Sequence, residues 1–495
     1  MIFVGIIICV ISYLVFDFLQ CLITLKKSKL PSLPILPLLG HVHHFLGSTN
    51  ATFEKLLDIA KTRKSFALFF GSIFTPYIYD FEMVSHLIKP ENQMYQKAAQ
   101  YDFMRVLGQR QIFVDWGTQY KESKRVLIEA VSHGNLKKYI TSFNRNAQNL
   151  VDDLRSKVGG DVFDLKAELD FHAISILLDT IMGLEASIMT RDEIELFGKE
   201  YSKILKYIVR RGYKVWLYPS SLYKFSNLFK LCNQSVSYIR KVTRKLIESR
   251  KEKFEVSELN GQKTLRTSVF IDKYFVSKKD DGSDFSIEDI TDDVLALLGA
   301  GFETTVSSLS LIIMMLSINQ DVQEKVFEEL KEKLKANDGY LDTYNLNELQ
   351  YLDQVIHETW RLHPPVSSIG RLLTKDIVLP NGGYLEKGTN VWFYITMIHR
   401  DPKFYPEPEI FNPNNFLPER VKERPPQVFM PFGFGTRKCF GNIFAKLVIK
   451  TILCHLMRNY QFHTTKTEND FQLAFEITLK NKIGVPVSIT SRPKI

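Results

Sequence analysis

Residues 402–431 constrain this chain more than any other stretch, because they can form neither a long helix nor a central strand. Eight of the 19 prolines fall there, at 402, 406, 408, 413, 418, 425, 426 and 431. Each removes a backbone donor and fixes φ, so no regular element survives that density. The same stretch carries Phe404, Tyr405, Phe411, Phe416 and Phe429, too much apolar surface for a disordered linker. It therefore reads as irregular coil packed on a core, and structured coils of this length are usually functional. It leads directly into PFGFGTRKCFGN, Pro431 to Asn442.

That motif holds Cys439, one of five cysteines. A lone cysteine is ordinarily an inert small hydrophobe, but this setting differs. Gly433 and Gly435 permit a tight turn and the close approach of something flat, and Gly441 does the same on the far side. Residues 442–459 read as a helix, so the thiol stands just before a helix N-terminus, where the dipole and free N–H groups favour a thiolate. Arg437 adds a permanent cation. This combination suits an axial ligand to haem iron, with the propionates on the arginine. Such a thiolate pushes electron density onto iron and favours O–O cleavage.

The motif resembles that of the cytochrome P-450 superfamily of haem-thiolate monooxygenases, F-x-x-G-x-R-x-C-x-G, with Phe432, Gly435, Arg437, Cys439 and Gly441 all in place. The resemblance implies that Cys439 is the proximal, metal-binding ligand, that Phe432 shields the sulfur and that Arg437 holds a propionate of haem b. It also implies the family fold, mainly α with a minor β portion and a long central helix over the haem.

Glu358 and Arg361 in HETWRLHPP share one face of a helix at i,i+3, which Pro364 and Pro365 stop. Taken alone they are a solvated pair worth well under ~1 kcal/mol. A zinc H-E-x-x-H is excluded because position 361 is Arg and His363 is out of register. By resemblance they are the E-x-x-R brace behind the haem. The third member of that brace is an Arg in the family, whereas FNPNNF places Asn415 there, with Arg420 nearby. Either could complete it.

The longest helical pattern covers 286–318, opened by a Ser286/Asp289 capping box. At 1.5 Å per residue it spans about 50 Å. Gly299 and Gly301 lie inside it, each costing roughly 1 kcal/mol against Ala. Taken alone the pair means tight helix packing. Beside Glu303–Thr304 it gains another reading: room over a flat cofactor, a Thr304 hydroxyl bonded one turn back, and Glu303 as a proton relay. Ala300, Gly301, Glu303 and Thr304 match the family's A/G-G-x-D/E-T, which implies O2 activation. Ala300 cannot form the ester that ties haem to a Glu in some relatives, so the haem is expected to be held non-covalently apart from the Cys439–iron bond.

The resemblance further places Arg371 at a second propionate, and Tyr120 and Lys124 where a Trp and an Arg are usual. Substrate positions fall on Phe103, Phe113, Leu298, Val366, Ile369 and Phe475, an apolar set that names no molecule. VWLYP, Val215–Pro219, reads as a second membrane contact. Lys121, Lys124, Arg125, Lys438, Lys446 and Lys450 form either a solvated face or a docking site for an acidic electron donor. The implied donor is NADPH–cytochrome P-450 reductase, with cytochrome b5 as an accessory.

The first 25 residues are almost wholly apolar, with Asp17 as their only charge, and long enough to cross a bilayer. No basic region precedes them, which argues against a cleaved signal. Lys26, Lys27 and Lys29 follow and hold the remainder in the cytosol. The expected organisation is an anchor over 1–25, a basic, proline-rich spacer over 26–40 and one catalytic domain over 41–495, at the endoplasmic reticulum. An odd cysteine count argues against a disulfide scaffold. The net charge is +9, but with no basic run of five and no zinc-finger spacing a nucleic-acid partner is not expected. The predicted reaction is monooxygenation of a lipophilic molecule such as a fatty acid, pheromone, hormone or xenobiotic. A reductase-free haem-thiolate isomerase or dehydratase and a non-enzymatic haem sensor are the rivals.

Helices are predicted over 119–132, 136–156, 166–184, 192–211, 224–253, 286–318, 320–336 and 347–362. Strands are predicted near 66–79, 369–380 and 387–395, with an exposed loop over 255–285.

Overall fold

The computed structural model describes residues 2–92, 94–184, 188–259, 269–334 and 340–493. Helix α1, Ile2–Ser28, is long and apolar enough to cross a membrane and is almost bare of protein contact over its first half. The predicted helices form as Gly117–Ala130 (α2), His133–Leu154 (α3), Lys166–Met182 (α4), Arg191–Gly212 (α5), Asn227–Leu259 (α6), Ile287–Ile318 (α7), Gln320–Lys333 (α8), Gln350–Leu362 (α9) and Asn442–Asn459 (α10). Positions 335–336 of the helix predicted over 320–336 lie outside the described residues. Helix α7 opens with the expected capping box, Ser286 accepting from the Asp289 N–H and Asp289 from that of Ser286. It runs through the core packed against α4, α6, α9 and α10.

A four-stranded sheet sits to one side with its own core. The 66–79 segment is a hairpin, β1 (Phe66–Phe70) and β2 (Ile73–Ile78), in register Phe69↔Phe74. β2 pairs in parallel with β4 (Asn390–Phe393), which pairs antiparallel with β3 (Ile369–Leu372). A terminal hairpin, β5 (Leu473–Glu476) and β6 (Thr478–Asn481), reaches back to α7.

Three expectations need correction. Residues 26–40 are not a free spacer. The helix continues through Lys26 and Lys27, and Ala67 N–H then donates to Pro31 O at 2.9 Å while Ser32 Oγ donates to Ala67 O at 2.8 Å. Proline-rich chain has extended φ and solvent-free carbonyls to offer, so it lies along the sheet edge. The stretch 255–285 is not one exposed loop: α6 occupies its start, 260–268 lie outside the described residues, and Phe270, Ile271 and Tyr274 are buried. The 402–431 coil is interrupted by single turns, Pro413–Phe416, Pro418–Lys422 and Pro426–Val428, each with a proline in its first turn, where the missing N–H costs nothing.

Candidate active site

Two glycines shape the cysteine loop. Gly433 (φ 72°) and Gly435 (φ 63°) occupy the left-handed region, which any Cβ would strain. They fold the loop so that Cys439 N–H donates to Phe432 O at 2.9 Å. Gly441 caps α10, and Asn442 Nδ2 donates to Cys439 O at 3.1 Å. The thiol is solvent-reachable yet ringed by protein, so burial is the first influence on it and raises its pKa. The Gly441 N–H, Lys97 and Lys438 pull it back. In the polypeptide alone the helix-end effect is thus outweighed by burial. Phe432 packs edge-on against Trp360 with ring centroids 5.2 Å apart.

Beside the loop stands a cluster of cations. Arg371 on β3 is fully buried. Its Nη1 donates to its neighbour's carbonyl, Gly370 O, at 2.9 Å, and its Nε has no partner. Burial lowers its pKa to about 10. Lys97 lies in a bridge opposite Arg371, its Nζ 4.7 Å from the Tyr101 ring. Burial, then Arg371 and Arg437, push its pKa well down. No carboxylate among the described residues pairs with Lys97, Arg371 or Arg437. One buried and two half-buried cations without acids, next to a thiol on a glycine turn, fit a flat ligand that carries two carboxylates and a metal centre. Lys97 was not foreseen; it belongs to no motif, and only the fold sets it beside Arg371.

Arg437 is largely engaged by the protein itself. Its guanidinium donates to main-chain carbonyls, Nε to Tyr95 at 2.7 Å, Nη1 to Ile112 at 3.2 Å and Nη2 to Asp115, and it lies 3.6 Å from the Tyr120 ring centre. At most two of its five N–H groups remain for an anion. Tyr120 and Lys124 on α2 donate to Thr436 O at 3.2 and 3.4 Å. They support the loop, whereas Trp116 is 61% exposed.

On α7, Leu297, Ala300, Gly301 and Thr304 form a half-buried stripe at helical spacing. Thr304 Oγ1 donates to Ala300 O at 2.6 Å, the back-bond expected. The glycines do something else. A Cβ on Gly299 would fall 1.9 Å from the Tyr201 ring, and one on Gly301 2.8 Å from Leu177. They admit side chains from α5 and α4. Glu303 is buried and turned toward the terminal hairpin. Its carboxylate pairs with Lys480 Nζ at 2.8 Å and accepts from Thr478 Oγ1 at 3.2 Å and from Ser202 Oγ. A cavity of about 20 Å³ behind it is lined by Asp170, Ser310 and Asn481 among others, and each of these three carries an unpartnered polar atom.

Glu358 and Arg361 are joined at two points, 2.7 and 2.8 Å. Arg361 also donates to the carbonyls of His399, Pro408 and Ile410, and Glu358 accepts from Asn412 N–H at 2.8 Å and Asn415 Nδ2 at 3.1 Å. Asn415 is therefore the third member; Arg420 is exposed. Arg424 stacks 4.6 Å from the Tyr405 ring, which Arg361 also faces at 4.9 Å.

The cytochrome P450 family model matches residues 30–484. The chain belongs to the cytochrome P450 family. Relatives include cytochrome P450 4g1 of Drosophila melanogaster, 28% identical over 94% of this chain and 89% of its own length, and cytochrome P450 4c21 of Blattella germanica, 27% over 91% and 90%. Human cytochrome P450 4V2 is 24% identical over 92% and 88%. A retinoic acid-bound cyanobacterial CYP120A1 shares the fold at a TM-score of 0.77 and 22% identity, over 94% of this chain and 99% of its own. This P450 is accordingly a haem-thiolate monooxygenase that uses iron protoporphyrin IX.

The P450's apolar cavity opens between the β1–β2 hairpin, α5 and the turn of the terminal hairpin. Of the residues expected to meet substrate, Phe103, Val366 and Phe475 line it. Phe113, Leu298 and Ile369 do not: Leu298 is core, Phe113 packs on that core, and Ile369 backs Gly433. Five lining tyrosines were missed, because single tyrosines scattered from 77 to 394 form no local pattern. On the thiolate side, Lys450 is buried against Asp353 at 2.9 Å and Arg125 pairs with Asp280 at 3.0 Å. Lys121 and Lys438 are fully exposed, and Lys124 and Lys446 partly so.

Proposed function

We propose that Cys439 is the thiolate ligand of the haem iron and that the enzyme inserts one atom of O2 into a lipophilic substrate. The electrons come from NADPH through a cytochrome P450 reductase, with cytochrome b5 as an accessory donor. α1 anchors the chain in the endoplasmic reticulum membrane, and residues 41–495 form the catalytic domain. The observation that carries this reading is the acid-free group of Lys97 and Arg371 beside the Cys439 loop.

Haem bound there supplies the oxygen chemistry. The chain's own residues bind and orient it. Half-buried Lys97 and buried Arg371 offer N–H donors to the propionates, and the remaining N–H groups of Arg437 add to them. Phe432 and Trp360 keep the sulfur side dry, with Trp360 Nε1 held on Ser308 Oγ at 3.1 Å. The Thr304 hydroxyl, bonded back to Ala300, holds a proton on the half-buried face of α7. Glu303, one position before it, is the acid we assign to proton delivery, its carboxylate oriented by Lys480 and Thr478.

Purified Cys439→Ser is expected to lose the thiolate-type ferrous–carbonyl spectrum. A normal thiolate spectrum in that variant overturns the assignment. NADPH-dependent oxygen uptake with added reductase separates this function from a reductase-free isomerase and from a sensor.

A further inference from the structure

Every residue lining the apolar cavity is uncharged: among the described residues it contains no Lys, Arg, His, Asp or Glu. It is nevertheless not purely apolar. Tyr77, Tyr101, Tyr213, Tyr218 and Tyr394 face it, together with Gln100. Tyr218 OH is spent on Gly212 O at 2.6 Å, and Tyr101 OH accepts from Gly370 N–H at 3.4 Å. Tyr394 OH and Gln100 Oε1 are buried with no partner at all. Tyr77 and Tyr213 interact with neighbouring tyrosines without a hydrogen bond. Buried polar atoms are normally satisfied, so a set of unspent neutral donors and acceptors around one cavity calls for a guest that supplies the missing bonds.

The guest's charge follows from the walls. Burial raises the pKa of all five tyrosines, which means this space penalises negative charge. A carboxylate placed here would be desolvated with no counter-ion. Cations stand only behind the walls: Lys97 Nζ lies 4.7 Å from the Tyr101 ring in the group assigned to the propionates, and Arg211 is sandwiched between Phe103 and Tyr223 at 4.3 and 3.9 Å. It donates to Leu217 O and Tyr218 O and does not line the cavity.

We infer that the substrate this cavity admits is a lipid with a neutral oxygen function, such as an alcohol, aldehyde or ester, and not a free carboxylate. This deepens the oxygenase reading and rests on it.

The test is a matched set of sixteen-carbon ligands, hexadecan-1-ol, methyl hexadecanoate, hexadecanoate and hexadecane, titrated into the detergent-solubilised holoenzyme at neutral pH. Binding is read by the haem spin-state shift and independently by calorimetry. The alcohol and ester are expected to bind at least tenfold more tightly than the carboxylate. Tyr213→Phe and Gln100→Leu are expected to weaken the alcohol and ester severalfold while leaving hexadecane unchanged. Equal or tighter binding of the carboxylate overturns the inference, most directly if Arg211→Gln abolishes it. Binding of none of the oxygenated ligands by calorimetry also overturns it. A normal thiolate-type ferrous–carbonyl spectrum in that same preparation shows that the oxygenase reading survives such a failure.

Discussion

Glu358 and Arg361 hold each other at two points with both side chains at zero exposure. Together they fasten the proline-rich coil to α9, Arg361 through three carbonyls and Glu358 through Asn412 and Asn415. Neither charge has water to fall back on, so the pair behaves as a single unit.

Glu358→Ala is expected to destabilise the protein by about 3–5 kcal/mol, because it strands a buried guanidinium. Asn415→Leu removes one bond to a charged acceptor and should cost about 1.5–3 kcal/mol. Arg420→Ala should stay within about 0.5 kcal/mol. Denaturant unfolding of the three variants checks the ranking, and a large loss in Arg420→Ala would reverse the assignment of the third member.

Arg371→Met is expected to act with opposite signs on the two forms of the protein. Without haem, the variant loses a buried charge that has no carboxylate partner and should gain roughly 1–3 kcal/mol of stability. With haem, it loses a propionate donor and should release the cofactor faster. Thermal melts of both forms and haem transfer to apomyoglobin measure the two effects.

Gly299→Ala is expected to cost about 1–3 kcal/mol, since its new methyl meets the Tyr201 ring. The double variant Gly299→Ala/Tyr201→Leu should recover part of that loss. No recovery would mean that Tyr201 is not the obstacle.

His399 accepts Met430 N–H on Nε2 and donates from Nδ1 to Trp360 O, which requires the neutral ring. Burial lowers its pKa to about 3. Below the unfolded value near 6.5 the unfolded chain binds more protons, so stability is full above that pH and falls as pH drops toward 3. The slope is up to about 1.4 kcal/mol per pH unit from this residue. His399→Gln should shallow the acid limb of a stability–pH profile, and an unchanged limb would count against it.

Glu303→Gln breaks the ion pair with Lys480. Product formation is expected to fall about 10²-fold, with a larger share of NADPH ending in peroxide and an unaltered ferrous–carbonyl spectrum. A crystal structure should also show one ordered water hydrogen-bonded to Ser310 Oγ and Asp170 Oδ1, since the cavity there has room for one and three unspent polar atoms.

Much of this fold is legible in the chain itself because its helices carry strong 3.6-residue periodicity and explicit caps. Helix α7 is the clearest case, with Ser286, Asp289 and a long apolar run. The cysteine loop and the Glu358–Arg361 pair are legible because their chemistry demands fixed local spacing. Asn415 was legible as a candidate from FNPNNF, but only its bond to Glu358 decides between it and Arg420; Lys97 and the cavity tyrosines depend on contacts between residues far apart in the chain, which leave no periodic trace. Gly301 is ambiguous because a glycine reports only that something comes close. Leu177 or a flat cofactor would require the same residue.

Ser72 Oγ bonds Asp17 Oδ1 at 2.5 Å, Lys27 pairs with Glu386 at 3.0 Å, and Pro31 caps the edge of β1. The candidate anchor helix is thus tied to the β1–β2 side of the fold, so its direction and that of the cavity mouth are linked. A trimmed, anchor-free protein should keep everything from about residue 26 onward, because cutting deeper unzips a strand neighbour rather than shortening a leash.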